Sequence, residues 1–407
     1  MANQQREILD SAISAEISGW VRKNWDADLT LGEWWRRLAE AHLAVPHWPE
    51  EWYGRGWTKG EAQSVFSTLR SLNVPGPPAG LGIMLAGPTL LQHGTDEQKQ
   101  RFLPDIISGT SNWCQLFSEP GAGSDLAAIS TRAVRGASTW TVNGQKVWTS
   151  NGHLADYGML LARTGDIRER HQNLTWFAIN MEQPGIEVRP LREMTGRSLF
   201  TEVFIDGASV YGDDIVGEVN GGWAVARTTL LNERVGLGGG GGAVGGVPGR
   251  RGGALENRAG NVLTAVRQSS GTALAMRGRA FTELLNLAQR NAVTDEQPVR
   301  DSLVTLYILE RISQLTQQRA QEQGAHGPMA KAGGSVGKLL VTRSTRIARD
   351  LGMSILGAEG MLWAGDRSTT GVVQELCLFS PAVSIYGGTD QIQRNILAER
   401  VLNMPRA

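Results

Sequence analysis

Apolar side chains change their spacing twice along the chain. From residue 2 to about residue 109 they recur every three or four positions, as in Leu31, Trp34, Trp35, Leu38 and Ala41, and Pro and Gly break the runs. That period lays an apolar stripe along a helix, so the first third is predicted to be helical. It closes on QHGTDEQKQRFLPDIISGT, where Thr95 and Gln98 have the spacing of a capping box and Pro104 is expected to close or restart a short helix. A helical hairpin follows from that reading.

From Trp113 to about Asp213 the pattern becomes alternation rich in β-branched residues: TWTVNGQKVWTS, YGMLLART, LTWFAINM, IEVRPL and TEVFIDGASV. Asn-Gly, Pro-Gly and Asp-Gly pairs separate these runs, which predicts a β-domain. Helical spacing returns in WAVARTTLLNERV, VRDSLVTLYILERISQLTQQRA, SVGKLLVTRSTRIARDLGMSILG and TDQIQRNILAERVL. The expected division is a helical domain over 1–112, a β-domain over 113–219 and a helical domain over 220–407. Helical, β, helical is an unusual order for an α+β chain, because most such chains segregate their elements once.

Residues 236–246 hold eight glycines in eleven positions, GLGGGGGAVGG, directly after a good helical pattern. Each glycine inside a helix costs about 1 kcal/mol, so either the helix breaks there or close packing compensates. The stretch VPGRRGGALENRAGNVLTAVRQSSG that follows reads as a flexible connection, with helix resuming near Thr272.

The length of 407 residues is enough for two or three packed domains and a sizeable cofactor site. Lys plus Arg number 40 and Asp plus Glu number 40, which excludes the one-signed field that nucleic acid or an anionic membrane would select. Cys114 and Cys377 stand singly among apolar neighbours with no CxxC, so both are expected as buried thiols and no metal site is expected. With a polar beginning and no window of about eighteen apolar residues, the expectation is a cytoplasmic chain without stable membrane insertion.

Three ordered blocks carry a resemblance: WCQLFSEPGAGSDLAAISTRA, then VNGQKVWTSNGHLADYGMLLAR, then MTGRSLFTEVFIDGASV; a fourth, IYGGTDQIQRNILAERVL, lies near the end. The chain resembles the acyl-CoA dehydrogenase family from about Gln92 onward. The resemblance implies an α+β fold with an N-terminal helical domain, a middle β-barrel domain and a C-terminal four-helix bundle. It also implies FAD held between domains and across a subunit interface. Independently, SEPGAGSD joins a strand end to a proline-glycine turn of small residues, which exposes backbone N–H groups to a ring or phosphate. By the resemblance, Phe117 and Ser118 meet the flavin pyrimidine and Ser124 reaches the pyrophosphate and the substrate. Trp148 lies against the isoalloxazine, and a hydroxyl at Ser150 sits beside flavin N5, where the family usually has threonine. Thr389 is a natural N-cap for the last helix, and the resemblance adds FAD contacts at Thr389 and Gln391.

Removing an α-proton from a thioester needs a carboxylate in a dry pocket. Medium-chain members carry it directly after the tyrosine of the fourth block, and here that position is Gly387. Long-chain and isovaleryl members carry it on an earlier helix in an LxxER-like sequence, which LLNERVGLG matches at Glu233. The resemblance thus assigns Glu233 as base, the Gly387 N–H as a donor to the thioester oxygen, and Arg234 and Tyr386 to the substrate site. Electrons would pass to an electron-transfer flavoprotein. The expected function is α,β-dehydrogenation of an acyl-CoA to the trans-2-enoyl-CoA in fatty-acid or sterol side-chain β-oxidation.

One departure is plain. The Arg-x-x-Phe-Gly sequence that supplies a pyrophosphate arginine in the family has no clean copy; RGRAF, residues 277–281, comes nearest. A homo-oligomer (dimer or tetramer) and a hetero-oligomer of two dehydrogenase-like chains therefore both stay open. So do a catalytically silent subunit and a flavin oxidase on the same fold. Small side chains in the glycine run motivate a bulky or branched acyl group, with simple helix breaking as the alternative.

Overall fold

The computed structural model describes residues 2–166, 168–238, 248–251, 253–266, 280–323, 328–362 and 371–405. Residues 239–246 of the glycine run, the basic part of RGRAF and Thr272 lie outside the described residues. The chain divides into two compact units, Met1–Glu193 with Ser198–Leu230 and Ala243–Arg267, and Met194–Arg197 with Leu231–Gly242 and Gln268–Ala407.

The first unit begins with helices α1 (Ala2–Asn24), α2 (Leu31–Glu40), α3 (Lys59–Ser71), α4 (Gly87–His93) and α5 (Asp96–Ile107). Thr30, Thr58 and Thr95 each close a full capping box, which fixes where α2, α3 and α5 start. Helix α5 runs through Pro104 to Ile107 and does not close or restart there. The ring removes one N–H near the end of the helix, while Phe102, Leu103, Ile106 and Ile107 around it are buried and hold the turn in place. Trp34 and Trp35 of α2 are fully buried, and their indole N–H groups donate to the carbonyls of Pro75 (2.8 Å) and Gly76 (3.0 Å). A π-turn over Gly82–Ala86 leads directly into α4.

The sheet of this unit contains β1 (Trp113–Leu116), β2 (Arg132–Arg135), β3 (Thr139–Ser150), β4 (Tyr157–Arg163), β5 (Leu174–Asn180), β6 (Ile186–Leu191), β7 (Phe200–Tyr211) and β8 (Ile215–Val216). Its order is β6-β7-β3-β2-β4-β5-β8, and β1 pairs in parallel with β4. The expected barrel is not closed: β6 and β8 end the path and are not paired with one another among the described residues. Closure would need two edge strands to exchange hydrogen bonds. Here β8 has only two residues, and β6 carries Glu187, Arg189 and Pro190, the charges and proline that keep an edge from pairing. The long strands β3 and β7 pair antiparallel with register shifts between Val142 and Asn143 and between Lys146 and Thr149.

Helix α7 (Ala259–Val266) falls in the segment expected to be a flexible connection. It is anchored because Leu31 and Gly32 donate to the carbonyls of Asn257 (2.8 Å) and Leu255 (2.9 Å), and Ala259 donates to Leu29 (2.8 Å). Helix α6 (Gly222–Gly238) supplies residues to both units.

The second unit is built from α8 (Phe281–Arg290), α9 (Gln297–Gln323), α10 (Pro328–Leu356) and α11 (Val372–Val383), with α12 (Asp390–Arg400) following. Leu284 and Leu287 of α8, Leu303 and Leu306 of α9, Leu351 and Ile355 of α10, and Leu376 and Phe379 of α11 close one shared core. This is the expected four-helix bundle. Helices α10 and α11 approach so closely that a Cβ on Gly352 would lie 2.8 Å from Val373 Cγ1.

Candidate functional site

The residues singled out in the sequence fall into two groups, one in each unit. In the first unit, β1 runs into Phe117 and Ser118, and β3 carries Trp148 and Ser150. The Val147 N–H donates to the Ser118 carbonyl (2.9 Å), which ties the two segments together. Just beyond, Glu119 and Ala122 exchange backbone hydrogen bonds (2.9 and 3.0 Å) and fold SEPGAGSD into a tight loop. A Cβ on either Gly121 or Gly123 would meet nothing within 4 Å, and Ser124 is exposed, so the loop offers open backbone.

Trp148 is the unusual residue of this group. Its φ is +60°, a left-handed conformation that a bulky side chain adopts only when its surroundings impose it. The imposing feature is the bulge between Lys146 and Thr149, where β3 slips against β7. The indole is 62% exposed and rests edge-on against Phe200, with ring centroids 6.0 Å apart. Backbone strain therefore serves to hold a large apolar ring in the open. Ser150, two residues on, pairs with Phe200 across the same strands.

Beneath this segment lies a buried ion pair that the sequence reading missed. Lys146 is fully buried; its Nζ donates to Glu119 Oε1 (2.8 Å) and to the carbonyls of Phe117 (3.0 Å) and Leu161 (2.9 Å). The other face of Glu119 accepts from the Ser130 N–H (2.6 Å) and hydroxyl (2.8 Å), and Oε1 also accepts from the Thr131 N–H (2.9 Å). Burial pushes Lys146 down to about 8 against the opposing pull of Glu119. Burial works to raise Glu119, but the Lys146 charge and the bonds from Lys146, Thr131 and Ser130 outweigh it and hold the carboxyl at about 2. The signal was available in the alternation of β3, where Lys146 continues the inward-facing series of Trp140 and Val142. Cys114 is buried and its thiol is pushed up to about 12 by burial, whereas Cys377 is only half-buried.

In the second unit, Glu233 and Arg234 sit half-buried near the end of α6. Gly334 of α10 faces Arg234: a Cβ there would lie 3.2 Å from the arginine Cβ. The charge of Glu233 is within electrostatic reach of the Lys338 ammonium, also on α10. Tyr386, Gly387 and Thr389 occupy the link between α11 and α12, where Gly387 and Gly388 take left-handed φ values of +64° and +86°. Burial pushes the Tyr386 phenol up to about 12, and the Lys338 ammonium lies 5.6 Å from its ring centroid. The Thr389 hydroxyl caps α12 by accepting from the Ile392 N–H (3.3 Å), while Gln391 is exposed. Lys338, Asp390 and Gln393, all buried around this link, also went unread in the sequence.

Three family models match the chain: the acyl-CoA dehydrogenase N-terminal domain over residues 2–110, the middle domain over 114–207 and the C-terminal domain over 257–402. The chain belongs to the acyl-CoA dehydrogenase family, and with it to the oxidoreductases that act on acyl-CoA. Among its relatives, the acyl-CoA dehydrogenase FadE34 of Mycobacterium tuberculosis is 38% identical over 91% of this chain but only 46% of its own length. The chain thus spans less than half of that relative. The acyl-CoA dehydrogenase IpdE1 of the same organism is 36% identical over 96% of this chain and 97% of its own. Among solved structures, the ChsE4-ChsE5 complex from Mycobacterium tuberculosis matches with a TM-score of 0.71 and 25% identity, covering 99% of this chain and 98% of the matched one. Among the described residues, no helix is long and apolar enough to cross a membrane.

Proposed function

We propose that the chain is an FAD-dependent acyl-CoA dehydrogenase, organised as domains over 1–112, 113–219 and 220–407, which converts an acyl-CoA thioester to the trans-2-enoyl-CoA. The observation that carries this reading is Trp148, a strained and exposed indole beside a glycine loop of open backbone. A flat conjugated ring system fits such a surface: the indole supplies a stacking face, and the Phe117, Ser118 and Ser150 segment supplies backbone and hydroxyl partners. Ser124, Thr389 and Gln391 would take the remaining polar contacts of the cofactor. Bound FAD supplies the acceptor for the electrons and for the hydrogen leaving Cβ.

The remaining steps belong to this chain's own side chains. Glu233 takes the proton from Cα at its carboxylate, and Arg234 orients it. The Gly387 N–H donates to the thioester oxygen, where negative charge grows as the α-proton leaves, so a fixed donor there lowers the barrier. A glycine supplies that N–H as well as any other residue. Tyr386 and Ser124 line the path of the substrate.

Family membership supports this activity, and the ChsE4-ChsE5 complex is a precedent for a partner chain. The assembly is accordingly a homo-oligomer or a hetero-oligomer, with an electron-transfer flavoprotein as acceptor and fatty acyl or sterol side-chain β-oxidation as the setting. The test is the visible spectrum of the purified protein. Bound flavin should bleach anaerobically with one class of acyl-CoA from a panel running from octanoyl to branched and sterol-derived esters. Bound flavin that no thioester bleaches would point to the silent-subunit reading, and rapid reoxidation by oxygen to an oxidase.

A further inference from the structure

Residues 384–389 link α11 to α12, and both flanks of the link are held from inside the bundle. On one flank, Lys338 donates from Nζ to the Val383 carbonyl (2.5 Å), to which the Thr342 hydroxyl also donates (3.3 Å). The same ammonium lies 3.7 Å from Asp390 Oδ1, and Arg346 donates to Asp390 Oδ2 (3.2 Å). The Asp390 N–H reaches back to the Ser384 carbonyl (3.2 Å), so the aspartate couples the start of α12 to the end of α11. On the other flank, Gln393 is fully buried and donates from Nε2 to the carbonyls of Gly387 (2.7 Å) and Gly388 (3.3 Å).

Two adjacent glycines have access to both hands of backbone space, so nothing in their own chemistry selects φ values of +64° and +86°. The selection comes from the buried groups around them. Lys338 is 1% exposed, an environment that favours apolar side chains, and burial depresses its pKa while Asp390 opposes the shift. The Gly387 N–H meets no acceptor among the described residues, so the amide is presented to an incoming group.

We infer that Lys338, Asp390 and Gln393 are positioning residues that hold the Gly387–Gly388 link in one shape, so that the Gly387 N–H is fixed before substrate arrives. The inference rests on the proposed role of that N–H at the thioester oxygen. A donor fixed in advance stabilises developing charge without reorganising during the reaction, whereas a loose glycine link must be ordered at each turnover.

The experiment compares wild type with Gln393→Met, which keeps the bulk and removes the donor, and with Lys338→Met combined with Asp390→Asn, which strands neither charge. Each holoprotein is assayed for flavin content, KM and kcat, and for deuterium exchange of the amides over 384–389. The thioester carbonyl stretch of bound acyl-CoA is recorded in a Glu233→Gln background, where substrate is not consumed. The expected result is a kcat lowered about tenfold or more with KM and flavin content within about twofold, as expected for a contact made in the transition state. Faster exchange over 384–389 and a smaller carbonyl downshift should accompany it. Unchanged kcat, exchange and carbonyl shift in Gln393→Met would overturn the inference. No downshift in the Glu233→Gln parent would instead remove the Gly387 assignment beneath it. If Gln393→Met does not fold, Gln393→Asn, which falls short of the Gly387 carbonyl, is read by the same measurements.

Discussion

The Lys146 ammonium stands 2.8 Å from the Glu119 carboxylate, and both groups are shut away from solvent. Two carbonyl acceptors on Lys146 and three donors on Glu119 also converge on the pair, so it clamps the end of β1, the strand β3 and the loop after Ser118 together. The strained Trp148 is only two residues from this clamp. A buried pair of this kind adds little net stability compared with apolar packing, but removing one partner is costly because the other charge is left stranded. Lys146→Met should therefore destabilise the protein by roughly 3–5 kcal/mol, and Lys146→Met with Glu119→Gln by clearly less. Urea denaturation of the single and double variants measures the difference.

The same pair sets a pH dependence with two windows, and in both of them stability rises with pH. Glu119 titrates at about 2 in the folded chain, below its ordinary 4.5, so on acidification the unfolded chain takes up this proton first. Its stabilisation is complete above pH 4.5 and is lost as pH falls from there toward 2. Lys146 titrates at about 8, below its ordinary 10.5, so between those values the unfolded chain binds more protons and this group's contribution rises with pH. Denaturation midpoints across the acid range should fall more steeply in wild type than in the Glu119→Gln, Lys146→Met double variant. Equal slopes would show that the pair is not responsible.

Trp148 separates stability from function. Glycine at this position would relieve the left-handed backbone, worth roughly 1–2 kcal/mol, and would give back part of that gain through the extra freedom of the unfolded chain. The lost indole was largely exposed, so little packing disappears with it. Trp148→Gly should accordingly melt within a few degrees of wild type. Its affinity for FAD, titrated onto apoprotein, should fall by about tenfold or more, in line with the loss of one good aromatic stacking contact. Normal flavin affinity would remove Trp148 from the proposed cofactor surface.

Helix and strand periods were legible in the sequence because they arise from local patterning. Thr95 and Gln98 close the capping box that their spacing predicts, and Thr389 caps α12. What was not legible depends on partners far along the chain. The conformation of Trp148 follows from the register of β3 against β7, where Thr149 meets Thr201 and Ser150 meets Phe200. Lys338 looked like an ordinary helical lysine because its acceptors, Val383 and Asp390, lie on later helices. The barrel failed for a related reason: alternation fixes which face of a strand is buried but not whether the end strands meet. Pro104 misled because a missing N–H ends a helix only when tertiary packing does not hold the turn.

Glu233→Gln tests the proposed base directly. The amide keeps the shape of the side chain and cannot accept the α-proton at neutral pH. The rate of flavin bleaching by saturating acyl-CoA should fall by about 10²-fold or more, the usual range for loss of a general base. The affinity for acyl-CoA should change little. Stopped-flow absorbance under anaerobic conditions resolves the two quantities, and an unchanged bleaching rate would mean that another carboxylate takes the proton.

Gly388→Ala probes the link beside Gly387 from the packing side. At φ +86° a methyl group is strained in any surroundings, and here it would also lie 2.6 Å from Gln393 Nε2. Gln393 is fully buried and already bonded to Gly387, so it cannot swing aside without giving up that bond. Backbone strain and overpacking together should cost roughly 2–4 kcal/mol. A calorimetric scan of apoprotein isolates this cost from any effect on flavin binding. The alanine variant should melt well below wild type, whereas the same substitution at Gly196, where φ is +79° but a Cβ would meet nothing within 4 Å, should carry the backbone cost of roughly 1–2 kcal/mol alone. Two variants with equal melting temperatures would show that Gln393 yields easily, and that the link is looser than the buried contacts around it indicate.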